Sequence, residues 1–244
     1  MTAQHTQALL GQTVVVIGSS AGIGLATAQR ARAEGADVIL TARNPERLEQ
    51  AVRAVGAINA ESFDATDFER LERFFDALPT PIDHVMVTAG APYYEPLAEL
   101  DLERARRFLE GHVLLPVVVA LCAAGKVRPG GTLLFVGGTG ARRPAVGLAL
   151  MSAVSVGNPA LVAGLAVELA PVRVNLIAAG FVDTPLSASL LGDQLDARRQ
   201  QLRDTLPIGR VVGPDDVAAL AVHVMENTAL TGATYDIDGG QQLL

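Results

Sequence analysis

Gly18-Ser19-Ser20-Ala21-Gly22-Ile23-Gly24 has residue types and spacing suited to holding an anion. Glycines let backbone come close to a ligand, because no Cβ stands in the way. Before the loop runs Thr13-Val14-Val15-Val16-Ile17, a β-branched stretch that reads as a buried strand. After it runs Leu25-Ala26-Thr27-Ala28-Gln29-Arg30-Ala31-Arg32, a good helix former without internal Gly or Pro. Strand, glycine turn and helix together aim backbone N–H groups and a helix N-terminus at a pyrophosphate. The spacing is Gly-x-x-x-Gly-x-Gly rather than Gly-x-Gly-x-x-Gly.

The elements around this loop follow an alternating pattern. Strand-like apolar runs occupy residues 13–17, 37–41, 84–87, 132–136, 172–177 and 234–238. Helical stretches fall between them at 23–34, 45–55, 67–78, 102–124, around 149–169, and 215–225. This alternation predicts an α/β fold: one doubly wound parallel sheet of Rossmann type, with right-handed crossovers and helices on both faces. No linker, repeat or low-complexity tract divides the 244 residues, so 1–244 reads as a single domain. Pro214-Asp215-Asp216 has the Pro and acids of a helix first turn.

Composition narrows the function classes. Half of the residues are hydrophobic, which suffices for a core and argues against disorder. A net charge of −7 without a basic run disfavours nucleic-acid binding. Cys122 stands alone, so no intrachain disulfide forms, and its apolar neighbours predict a buried, inert thiol in a reducing compartment. Four scattered histidines offer no metal-ligand spacing. Met1-Thr2-Ala3-Gln4-His5 has no secretory leader pattern, and a cytoplasmic location is expected. Residues 144–167 carry no charge, yet Ser152, Ser155, Asn158-Pro159 and three glycines interrupt them. A buried or subunit-interface helix is expected there rather than a membrane span.

Nearly end to end, the chain resembles the short-chain dehydrogenase/reductase family. The glycine loop has that family's spacing, and Val87-Thr88-Ala89-Gly90 is similar to the turn after its fourth strand. Phe63-Asp64-Ala65 looks like its acidic site for adenine. Arg173 through Pro185 is similar to the stretch whose turn and Thr184 meet the nicotinamide, with Ala179 in place of a proline. Thr231-Gly232 and Asp236-Ile237-Asp238-Gly239-Gly240 match the closing strand. The resemblance implies a dinucleotide held by Gly18, Ser19, Ser20, Gly22, Ile23, Gly24, Asp64, Ala65, Ala89, Gly90, Gly180, Val182 and Thr184.

At the end of the second strand stand Thr41-Ala42-Arg43, with no acid to bind a ribose 2′-hydroxyl. The planar guanidinium of Arg43 suits a 2′-phosphate, so NADP(H) is expected over NAD(H). The alternative is a solvated surface arginine. Ala21 stands where many NADP members carry a second basic residue.

The resemblance fails at the proton chemistry. The family uses a tyrosine four residues before a lysine, with a serine and an asparagine nearby. Here Met151 takes the tyrosine position and Ser155 the lysine position. Gly138 takes that of the serine and His112 that of the asparagine. Candidate substitutes are His112, Tyr93, Tyr94, Thr139, Ser152 and Ser155. Three readings stay open. The chain is an oxidoreductase for a carbonyl, alcohol or activated alkene with a non-standard proton donor; or an inactive member acting as nucleotide sensor or partner subunit; or a nonredox enzyme. Pro159 either kinks its helix or follows an Asn158 N-cap. The uncharged 144–167 stretch and Gln241-Gln242-Leu243-Leu244 suit burial between copies in a homotetramer or homodimer.

Overall fold

The computed structural model describes residues 7–244, so the stretch inspected for a leader lies outside the described residues. Seven parallel strands form one sheet in the order β3-β2-β1-β4-β5-β6-β7. They are β1 (Thr13–Ile17), β2 (Asp37–Ala42), β3 (Asn59–Ser62), β4 (Ile82–Val87), β5 (Val127–Gly138), β6 (Arg173–Ala179) and β7 (Thr234–Ile237). All six β4 residues are buried, as expected for a strand covered on both faces.

Helices α1 (Gly22–Ala33), α2 (Pro45–Val55) and α9 (Pro214–Glu226) cover one face. Val14, Leu40, Ala28, Val217 and Ala221 meet there. On the other lie α3 (Phe68–Ala77), α5 (Leu115–Ala123) and α6 (Ala149–Glu168), closing over Leu71, Phe75, Val119, Leu133 and Val162. Helix α3 forms because the Asp67 carboxylate caps Arg70 N–H at 3.0 Å while Leu71, Phe74 and Phe75 supply one apolar stripe. Full burial of a side chain such as Phe75 contributes about 1.5–3 kcal/mol.

The structure departs from the sequence expectations in four places. The polar edge strand β3 carries no apolar run to reveal it. Strand β5 begins five residues earlier than its apolar stretch, and its register against β4 shifts between Ile82 and His84. The helix expected over 102–124 splits into α4 (Leu102–Leu109), a π-helical turn at Glu110–Leu114, and α5. Pro116 lacks the N–H that would continue the ladder, and Leu115 N–H reaches back five residues to Glu110. Finally, α7 (Pro185–Leu191) and α8 (Leu195–Thr205) fold beyond β6.

Helix α6 runs unbroken through Pro159, so the Asn158 start is not realised. It is long and apolar enough to cross a membrane, yet it packs along β5 and β6 through Val162, Leu165 and Ala166. Val156 and Val167 stay exposed. The Cys122 thiol is half-buried, and burial pushes its pKa up.

Candidate functional site

The chain leaves β1 toward β2 on one side, while β4 lies on the other, which opens a crevice at the carboxyl ends of the strands. The glycine loop sits there, folded tightly onto the end of β4. A Cβ on Gly18 would stand 2.7 Å from Ala89 N, and one on Gly24 only 2.4 Å from Gly18 O. Gly22 faces the Thr184 side chain, where a Cβ would lie 3.3 Å from its methyl. The loop therefore touches both segments that the sequence assigned to the same ligand.

Helix α1 begins without a side-chain cap and without an acid in its first turn. By contrast α2, α3 and α4 are capped by Asn44, Asp67 and Asp101. Uncapped N–H groups and the positive end of a three-turn helix fit a pyrophosphate. Ser19 is wholly buried; its Oγ donates to Thr41 O at 3.1 Å, so its side chain anchors the loop rather than facing the crevice. Ser20 and Ile23 are half-buried.

At the rim, the Arg43 side chain is 76% exposed and lies 3.9 Å from Asp64. Asp64 also accepts from Thr66 N–H and its hydroxyl, at 2.9 and 2.7 Å. Ala65 packs into the core beneath it. Beyond β6, Val182 is buried and bridges to Val212, while Thr184 caps α7 through Ser187. Gly180 lies against Asp238, and Gln241 accepts from Phe181 N–H at 2.9 Å. The Val182 side chain thus packs inward rather than lining the crevice.

The π-helical turn presents His112 to the end of β4. A Cβ on Gly90 would stand 3.0 Å from His112 Cε1 and 3.1 Å from Nε2. The other ring nitrogen, Nδ1, lies 3.0 Å from Phe108 O. A carbonyl only accepts, so Nδ1 carries the proton and neutral His112 offers a lone pair at Nε2. Burial pushes its pKa down, opposed by the Phe108 hydrogen bond. The rings of Phe108 and His112 lie 4.4 Å apart, and those of Tyr93 and Phe108 6.0 Å apart.

The hydroxyl candidates are engaged or isolated. Tyr93 Oη donates to Asp101 O at 3.2 Å and accepts from Asp101 N–H at 3.1 Å, and its ring is buried. Thr139 Oγ1 donates to Asp238 at 3.4 Å. Ser152 Oγ is buried without a partner. Ser155 is 6% exposed, beside Met151 and Val154 on the inner side of α6. Tyr94 is exposed, and partial desolvation raises its pKa. Next to this cluster opens a cavity of about 280 Å³ lined by Tyr93, Leu97, Leu100, Val146 and Leu150, with Glu95 at its edge. The apolar wall from residues 145–150 was missed in the sequence, where it reads only as the start of the uncharged 144–167 stretch.

Comparison with known proteins decides the family. A family model described as enoyl-(acyl carrier protein) reductase matches residues 17–242. The 3beta-hydroxysteroid dehydrogenase 1 of Eggerthella lenta is 33% identical, over 96% of this chain and 95% of its own. The chain belongs to the short-chain dehydrogenase/reductase family. A second member, the short-chain dehydrogenase/reductase malC of Malbranchea aurantiaca, is 28% identical over 99% of this chain and 98% of its own. The solved structure of MalC reductase/Diels-Alderase superposes with a TM-score of 0.89 at 28% identity, covering 99% and 100% of the two chains. A small-chain dehydrogenase in complex with NADPH superposes at 0.81 with 26% identity, covering 96% and 99%.

Within this short-chain dehydrogenase/reductase, the four positions at which the sequence expected the proton relay lie at the end of β5, on α6 and in the π-helical turn. Gly138 ends β5, with room beside it: a Cβ there would meet only Ala179 O, at 3.8 Å. Met151 and Ser155 share one side of α6, one turn apart. His112 faces Gly90. At these four positions stand glycine, methionine, serine and histidine.

Proposed function

We propose that this protein is an NADP(H)-dependent oxidoreductase that acts on an apolar small molecule without its family's proton relay. The supporting observation is the glycine cradle: locked against β4, in contact with Thr184, and opening onto the uncapped α1 N-terminus. Gly18 through Gly24 would hold the pyrophosphate, Asp64 the adenine side, Arg43 a 2′-phosphate, and the backbone from Gly180 to Thr184 the nicotinamide side. The bound dinucleotide supplies hydride chemistry. No acid stands at the end of β2, and the Asp64 contact that Arg43 would share is an exposed pair of small energetic weight.

His112 is the one candidate proton-handling side chain that faces Gly90, and in its neutral form it accepts a proton rather than giving one. Reduction of an ordinary ketone would therefore lose the roughly 10²- to 10⁴-fold contributed by a general acid. Carbonyls and alkenes already activated by their own substituents suit the site best.

Calorimetry with NADPH and NADH tests the cofactor. NADPH should bind more tightly, and Arg43→Ala should weaken NADPH about tenfold or more while leaving NADH unchanged, as loss of a charge-assisted hydrogen bond implies. Equal affinities for the two nucleotides would remove the role given to Arg43. Diketones, quinones and enones serve as the first substrate panel, followed by NADPH absorbance. Tight NADPH binding with no turnover on any acceptor would instead favour a nucleotide-sensing subunit.

A further inference from the structure

A second cavity, of about 270 Å³, opens between the loop after β5, helix α8 and the C-terminal tail. Arg143, Arg198, Gln201, Leu202, Thr205 and Gln241 are in its lining. It shares no residue with the cavity beside Tyr93, and none with the set assigned to the dinucleotide.

The chemistry of this lining is one-sided. No acid belongs to it, and among the described residues neither Arg143 nor Arg198 pairs with a carboxylate. Arg143 donates to Gln242 O and Arg198 to Gln201 Oε1, the latter at 2.8 Å. Most of the five N–H groups on each guanidinium are left uncommitted. Gln201 and Gln241 use their amide oxygens within the fold, on Arg198 and on Phe181 N–H. Neither amide nitrogen has an acceptor among the described residues. Thr139 and Thr205 spend their hydroxyl protons on Asp238 and on Gln201 O.

The acids around the cavity are already engaged. Arg142 holds Asp236 at 2.7 and 2.8 Å, and Arg199 holds Asp183 at 2.8 and 2.9 Å. Asp238 accepts from the N–H groups of Gly240 and Gln242. What the lining side chains have left to offer is therefore donors, on two positive charges and two amides. The chain as a whole carries a net charge of −7 and gives anions no general attraction, so this is a local feature.

We propose that this cavity binds a small doubly charged oxyanion, a dicarboxylate or a phosphate, held by Arg143 and Arg198 with help from the Gln201 and Gln241 amides. Carboxylate and phosphoryl oxygens match the guanidinium fork, and charge-assisted hydrogen bonds are the strong ones. The two arginines stand on different segments, so the anion ties the loop that follows Gly138 to α8. Through Arg199 and Asp183, α8 is itself fastened one residue before Thr184. The site is separate from the glycine crevice, and the inference does not depend on the nucleotide reading above.

Calorimetry with glutarate, with inorganic phosphate and with acetate as the monoanion control, all at matched ionic strength, reads the site. At least one dianion should bind tenfold or more tightly than acetate, with and without saturating NADPH. Arg143→Ala and Arg198→Ala should each weaken it by about tenfold or more, as loss of a charge-assisted hydrogen bond implies. Arg203→Ala, exposed on the same helix outside the cavity, should leave it unchanged. Arg198→Lys keeps the charge and should retain part of the affinity, which separates loss of the contact from loss of the fold.

Tighter binding of glutarate marks a carboxylate ligand and tighter binding of phosphate a phosphoryl one; either supports the site. Dianions that bind no better than acetate overturn it, as does an affinity that neither arginine substitution changes. Displacement of the anion by NADPH also overturns it, because that places the anion in the glycine crevice. None of these results bears on the nucleotide reading, which Arg43→Ala tests.

Discussion

His84 lies on β4 with 1% of its surface exposed, and its pKa is pushed down to about 3. Desolvation is the main cause, aided by Arg173 and Arg128 and opposed by Asp83. Nε2 donates to Gln12 Oε1 at 2.7 Å, and Nδ1 has no partner, so the folded state holds the ring neutral. The unfolded chain protonates it below about 6.5. Stability from this residue is thus complete above that pH and is lost as pH falls from about 6.5 toward 3, by at most about 1.4 kcal/mol per unit. Urea unfolding between pH 7 and 4.5 should show a shallower decline for His84→Gln than for the unsubstituted protein. Parallel declines would refute this assignment. The sequence treated all four histidines alike. It singled out His112 by alignment, yet only the Phe108 carbonyl on Nδ1 reveals which nitrogen holds the proton.

At the scale of elements, the glycine loop and α1 act as one unit with the end of β4. Gly24→Ala would drive a methyl to 2.4 Å from Gly18 O and 2.7 Å from Thr88 Oγ1. The first neighbour is backbone and cannot rotate away, so α1 must shift. We expect a loss of about 1–3 kcal/mol in stability and at least a tenfold loss of NADPH affinity, as the helix N-terminus leaves its place. Urea unfolding and calorimetry read the two effects, and unchanged NADPH affinity would show that the close approach has no part in binding. Apolar stripes and first-turn residues revealed α2, α3 and α9, and helix propensity revealed α1, because these signals are local. The π-helical turn at Glu110–Leu114 was not legible, although Pro116 lies next to it. Whether proline breaks, widens or merely interrupts a helix depends on what the turn packs against. Pro159 is absorbed within α6 without ending it.

For the whole molecule, exposed apolar side chains gather on α5 and α6 and at the C-terminus: Leu121 is 71% exposed, Val156 65%, Val167 79% and Leu243 80%. The C-terminal tail is fastened by Gln242 N–H to Asp238 and by Arg142 to Gln242. This holds Leu243 at the surface. The uncharged 144–167 segment predicts a homo-oligomer, a tetramer or a dimer. Light scattering at micromolar concentration should give a multiple of the 25.4 kDa chain mass. Val156→Asp with Val167→Asp should lower that mass by burying charge at the contact. A monomer before any substitution would count against it.

The sequence by itself determined the sheet class and the glycine loop, because these depend on local periodicity, spacing and residue type. Even the polar strand β3 was implied only through the acid that follows it. Tertiary structure decided the rest: that Ser19 and Tyr93 spend their hydroxyls on backbone, that Arg43 and Asp64 share one rim, and that the Val146 and Leu97 segments enclose a cavity. These follow from which distant atoms come within a few ångströms, a matter of burial and hydrogen-bond satisfaction across the sheet that neighbouring residues in the chain do not encode.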